Sequence, residues 1–142
     1  MFKKILVAVD GSALSDKAVD WALTAYKETP EATFTLLFVQ QPMSPLTVGT
    51  AYASGAFQPV FIGTPEETPA YPAWQRFDDK ERVNYLTAVG QPADVICELA
   101  EKEGYDLIVL GSQGHGLVSS VFLGSVSGKV LHYAKCPVLV IR

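Results

Sequence analysis

The sequence predicts an α/β protein: a doubly wound, five-stranded parallel sheet with strand order 3-2-1-4-5, built as a single domain over residues 1–142. Two patterns and one count carry this. Short apolar, partly β-branched runs recur between turn residues, as strands buried on both faces do. Between them lie stretches whose apolar residues repeat at helical spacing, and strands alternating with helices make βαβ units with right-handed crossovers. The 142 residues are 49% hydrophobic and 18% charged, which suits one domain with a well-filled core and excludes a disordered chain.

Taken in order, Ile5–Val9 is the first apolar run. Asp10-Gly11-Ser12 is a turn signal, and Ser12 or Ser15 can cap a helix by accepting a backbone N–H. Leu14, Ala18, Trp21, Ala22 and Ala25 form that helix's apolar stripe, and Thr29-Pro30 stops it. Phe34–Val39 is the second strand and Asn84–Val89 the third. Gly90-Gln91-Pro92 opens a second clear helix, with Val95, Ile96, Leu99 and Ala100 inward, Glu98 facing Lys102, and Gly104 at its end. Leu107–Leu110 is the fourth strand. Ser125–Tyr133 reads as a helix with Val126, Val130 and Tyr133 on one face, and Val138–Ile141 is the last strand.

One segment breaks the pattern. No charged residue occurs from Ala32 to Pro65, and six of the nine prolines fall between positions 42 and 72. That proline density forbids a long helix where one belongs, so the expectation is a proline-stiffened flap over 42–72, with helix at most within Ala73–Arg82. Tyr52, Phe57, Phe61, Ile62, Tyr71 and Trp74 are too apolar for a typical disordered linker, and would cover the sheet, a ligand or a second subunit.

The net charge of −4 argues against nucleic acid or an anionic membrane as partner. Cys97 and Cys136 form no metal or disulfide pattern and read as small core residues. The apolar run at the start is too short for a signal segment and is broken by Asp10, and no stretch is long enough to span a bilayer, so the expected location is cytoplasmic.

The stretch that can carry chemistry is Gly111-Ser112-Gln113-Gly114-His115-Gly116, followed by Gly124-Ser125. It leaves a strand and runs into a helix. Glycines let backbone approach a ligand closely, successive N–H groups form an anion-binding concavity, and the helix start adds free donors. The same glycines would also serve a plain chain reversal. With order 3-2-1-4-5, the switch point lies between strands 1 and 4 at their carboxyl ends, where open α/β sheets bind ligands. Asp10 ends the first strand there and is either a ribose acceptor or a helix cap.

At this point the sequence resembles the universal stress protein family, whose ATP-binding members carry G-x2-G-x9-G-[ST]. Gly111, Gly114, Gly124 and Ser125 stand at that spacing. The opening Ile5-Leu6-Val7-Ala8-Val9-Asp10-Gly11-Ser12 and the end from Leu123 through Cys136-Pro137 to Arg142 are also similar, and the likeness covers residues 2–41 and 83–142. The resemblance implies a stress-response regulator that binds ATP, with magnesium held through the phosphates. Asp10 would face the ribose, and backbone at Ala8 and Val39 the adenine. Gly111, Gly114, Gly124, Ser125 and Val126 would hold the phosphates, with Gln113, His115 and Gly116 in the same loop. It further implies a homodimer through the last strand, with catalysis weak or undemonstrated. The 42–82 stretch departs from the family, which has a long charged helix there.

Rival readings are a slow ATP hydrolase, in which His115 assists, and a dimeric interaction module whose pocket is unused. A P-loop needs G-x4-G-K-[ST], which is absent. A dinucleotide fingerprint fails at Ser119, and a receiver domain fails at Thr87-Ala88-Val89-Gly90, which lacks the phosphoacceptor aspartate. The turn Asp10-Gly11-Ser12 stands where an adenine-nucleotide α-hydrolase has a Ser-Gly-Gly-rich loop. His132 sits late in a helix where a cation suits the dipole, and Lys129 reads as solvated.

Overall fold

The computed structural model describes residues 1–42, 63–112 and 123–142. Along them run β1 (Lys4–Ala8), α1 (Ala13–Glu28), β2 (Thr33–Gln40), a 3-10 turn (Pro65–Glu67), α2 (Ala70–Gln75), β3 (Val83–Val89), α3 (Pro92–Glu103), β4 (Leu107–Gly111), α4 (Ser125–Tyr133) and β5 (Val138–Ile141). The strands form one sheet in the order β3-β2-β1-β4-β5, with every pairing parallel. This is the topology the sequence predicts.

Alternation along the strands divides the core into two layers. Ile5, Val7, Phe34, Leu36, Val83, Leu107 and Val109 face α1, α2 and the buried Phe77. Leu6, Leu37, Ile108 and Leu110 face Ala93, Ile96 and Ala100 of α3 and Val130 of α4. Burial on both sides is why β1 and β4 are almost continuously apolar in sequence.

The local signals act largely as read, with a few changes. Ser12 is the N-cap of α1 and accepts the Ser15 N–H at 3.2 Å. Asp10 is not the cap; its Oδ1 takes the Ser12 N–H at 2.9 Å and tightens the turn. The buried side of α1 is Ser15, Ala18, Val19, Ala22 and Tyr26, so Leu14, Trp21 and Ala25 from the expected stripe lie at its margins. The helix ends at Glu28, before Thr29-Pro30. Arg82, packed over the Tyr26 ring, donates to the carbonyls of Tyr26, Thr29 and Ala32 there. It thereby satisfies backbone acceptors that a helix end leaves open.

Three expectations are corrected. Helix is not confined to Ala73–Arg82: α2 begins at Ala70, contains Pro72 and stops at Gln75. Pro72 is its third residue, where the N–H has no intrahelical partner to lose. Residues 65–75 are therefore turn and helix rather than an irregular flap; Tyr71 and Trp74 stack on one another, and Tyr85 of β3 packs edge-to-face on Tyr71 and tilted against Trp74. Of the roles foreseen for these two aromatics, covering the sheet holds. Tyr52, Phe57, Phe61 and Ile62 lie outside the described residues. Second, Tyr133 is 60% exposed; α4 buries Ser127 and Val130 instead, because its inward face is set by the sheet it crosses. Third, Glu98 and Lys102 both stand exposed, and the ion pair found among the described residues is Arg76–Asp20. Two long, solvated side chains gain little by pairing.

Cys97 and Cys136 are half-buried at the edge of the α3/α4 layer, where burial pushes both thiols up. That favours the unreactive protonated form and agrees with a packing role. No helix among the described residues is long and apolar enough to cross a membrane.

Candidate functional site

At the carboxyl ends of β1 and β4, where the strand order reverses, a cavity of about 580 Å³ opens. Its size lies within the range of small-molecule sites. Ala8, Asp10, Val39, Gly111, Gly124, Ser125 and Val126, each singled out from sequence, all line it. They come from the ends of β1, β2 and β4 and the start of α4, so residues more than a hundred positions apart share one wall. Gln113, Gly114, His115 and Gly116 lie outside the described residues.

Each wall has a local cause. The last β1–β2 rung runs from Val9 N–H to the Leu37 carbonyl at 2.8 Å. Backbone groups on one side of a strand alternate, so the next β2 residue facing β1 is Val39, one rung past the end of β1. Its N–H and carbonyl therefore border the crevice as a donor–acceptor pair. Gly111 closes the β4 side. A Cβ placed on it would lie 2.8 Å from Leu14 Cβ and 3.0 Å from the Leu14 carbonyl carbon. Only glycine lets the first turn of α1 pack that closely on the end of β4.

The start of α4 is clamped to the same place. Gly124 N–H and Ser127 Oγ both donate to the Ser112 carbonyl, at 2.6 Å each. Residues 112 and 124 are thus held side by side. The α4 N-cap, Gly124, supplies no side-chain cap, so the first-turn N–H groups remain available to a ligand. Pro92, at the start of α3, also lines the cavity, and three helix N-termini converge on it: α1, α3 and α4. Among the described lining residues Asp10 carries the only formal charge. The arrangement offers an anion backbone donors and dipole ends in place of lysine or arginine.

Several lining residues escaped the sequence reading. Ser15 was considered only as a cap. Gln40, Gln41, Pro92 and Ile96 were not considered for the site at all. Doubly wound topology was the available signal for Pro92 and Ile96, since it brings every strand-to-helix turn to the same end of the sheet.

The universal stress protein family model matches residues 1–142. The chain is 33% identical to universal stress protein YxiE of Bacillus subtilis, over all of both chains. Its fold is similar to that of the universal stress protein UspA from Lactobacillus plantarum, with a TM-score of 0.73, 25% identity, and coverage of 99% of this chain and 98% of that one. It is also similar to a universal stress protein solved in complex with cAMP, with a TM-score of 0.63, 25% identity, and coverage of 99% and 97%. With the family model matching its full length and a relative 33% identical over all of both chains, this chain belongs to the universal stress protein family.

Proposed function

We propose that the chain binds ATP in the crevice between β1 and β4 and acts as a nucleotide-dependent stress-response regulator. One observation carries the reading: residues picked from sequence for a nucleotide converge on a single cavity, walled by the uncapped start of α4. In this reading the Val39 backbone pair meets the adenine edge, Asp10 the ribose, and the α4 N-terminus the phosphates. Magnesium enters through the phosphates and offsets charge that no described cationic side chain in the cavity neutralises. The cAMP complex of a related protein supports a nucleotide ligand of this class.

Titration calorimetry with ATP, with and without magnesium, tests the reading. Saturable binding is expected, and Gly114→Val, folded by circular dichroism, is expected to abolish it by blocking close approach of backbone to phosphate. A Gly114→Val protein that binds ATP as wild type does would sink the phosphate-cradle assignment. A single-turnover assay separates binding from slow hydrolysis.

A second copy of the chain is proposed to pair at β5. This strand is a sheet edge, Val138–Ile141, wholly apolar and only half-buried, and an open edge of that kind is satisfied by its symmetry mate. Sedimentation equilibrium at micromolar concentration is expected to return the dimer mass; a monomer would refute the pairing.

A further inference from the structure

We infer that Ser15 is a ligand-binding residue of this crevice: its hydroxyl donates a hydrogen bond to the phosphate next to the sugar of the bound nucleotide. The inference rests on the nucleotide reading above and adds to it a side-chain donor.

Ser15 is the third residue of α1, is only 3% exposed, and lines the cavity. Its Oγ accepts the Asp10 N–H at 3.3 Å and the Gly11 N–H at 3.2 Å. A backbone N–H can only donate, so the direction of both bonds is unambiguous. A serine hydroxyl has two lone pairs and one hydrogen. Both lone pairs are thereby engaged, and the hydrogen is left to the remaining tetrahedral direction. Among the described residues the structure shows no acceptor for it. A buried donor without an acceptor is costly, so a partner is called for at this position.

The surroundings select the partner's chemistry. The hydroxyl sits in the first turn of a 16-residue helix, whose positive end favours an anionic acceptor over a neutral one. Asp10 Oδ1 already takes the Ser12 N–H, and the Ser12 hydroxyl already takes the Ser15 N–H. Gly11, at φ 83°, allows the tight turn that brings the two donating amides onto one oxygen. The amides of the turn are therefore paired within it; of its two serine hydroxyl hydrogens, that of the half-buried Ser12 can turn to water, and that of the buried Ser15 is left without an acceptor among the described residues. Asp10, on the sugar side of the proposed pose, and Ser15 belong to this same turn. The α4 start, on the phosphate side, lies across the cavity. The ligand oxygen within reach of Ser15 is accordingly on the phosphate nearest the sugar.

Affinity for AMP and for adenosine, measured on the same preparations, tests this, because the two ligands differ only by that phosphate. Ser15→Ala is expected to weaken AMP binding by about tenfold, the usual worth of a hydrogen bond to a charged group, and to leave adenosine within about twofold of wild type. Ser15→Cys is nearly isosteric, fills the same space in the turn and is a poor donor, so it is expected to show the same selective loss should the alanine variant fold poorly. Equal weakening of AMP and adenosine in both variants would overturn the inference and leave Ser15 a support for the turn. Unchanged AMP affinity would overturn it as well. A wild-type protein that binds neither AMP nor ATP would instead refute the nucleotide reading itself, and this inference with it.

Discussion

Gly111→Val is expected to lower stability by about 3 kcal/mol and to weaken ATP binding at least about tenfold at temperatures where the variant is still folded. The position has no room. Even a single added carbon would stand 2.8 Å from Leu14 Cβ and 3.0 Å from Leu14 backbone, and backbone cannot swing aside as a flexible side-chain tip does. Valine adds two more methyl carbons. Relief requires the first turn of α1 to move off the end of β4. That turn holds Ser12 and Ser15 and is bonded to Asp10, so the displacement reaches directly into the cavity. Urea unfolding and calorimetry on one preparation measure both effects. A wild-type urea midpoint would show that α1 does not pack on Gly111.

Phe77→Ala is expected to cost about 4 kcal/mol while leaving ATP affinity unchanged under native conditions. Phe77 is 1% exposed and lies between Tyr26 of α1, edge-to-face at 5.3 Å, and Phe34 of β2, tilted at 6.3 Å. It fastens the stretch after α2 to the sheet, together with the bond from Asp79 N–H to Tyr26 Oη at 2.8 Å. Removing the ring leaves a cavity among side chains that are themselves anchored, so collapse into it is limited. None of the three aromatic residues lines the site, which is why stability and binding separate here and move together at Gly111. A loss below about 1 kcal/mol would mean that this cluster does not hold the layer together.

The division between what sequence showed and what required coordinates follows from the range of the forces involved. Strands β1, β2 and β4 were legible because burial on both faces demands continuous apolar runs, and α1 and α3 because their caps and stripes are local. The sheet order followed from chain economy and handedness, which depend little on particular side chains. At the site, glycine spacing and an aspartate after β1 pointed to Asp10, Gly111, Gly124 and Ser125, and the family resemblance added Ala8, Val39 and Val126; all seven share the cavity. Proline counting misjudged α2, because what matters is where in a helix a proline falls, and Pro72 falls in the first turn. Periodicity placed Tyr133 inside, because a short helix can bury more than one stripe and the sheet beneath α4 decides which.

The sequence by itself thus determined the family, the sheet order and the end of the sheet at which a ligand would sit. Those rest on patterns repeated over many residues. Only the tertiary structure decided that Gly111 is required by its contact with Leu14, and that the Ser15 oxygen is filled by two amides with its hydrogen left over. Both are matters of a few tenths of an ångström between groups placed by different elements or by one exact turn. No periodicity or composition encodes a distance of that kind.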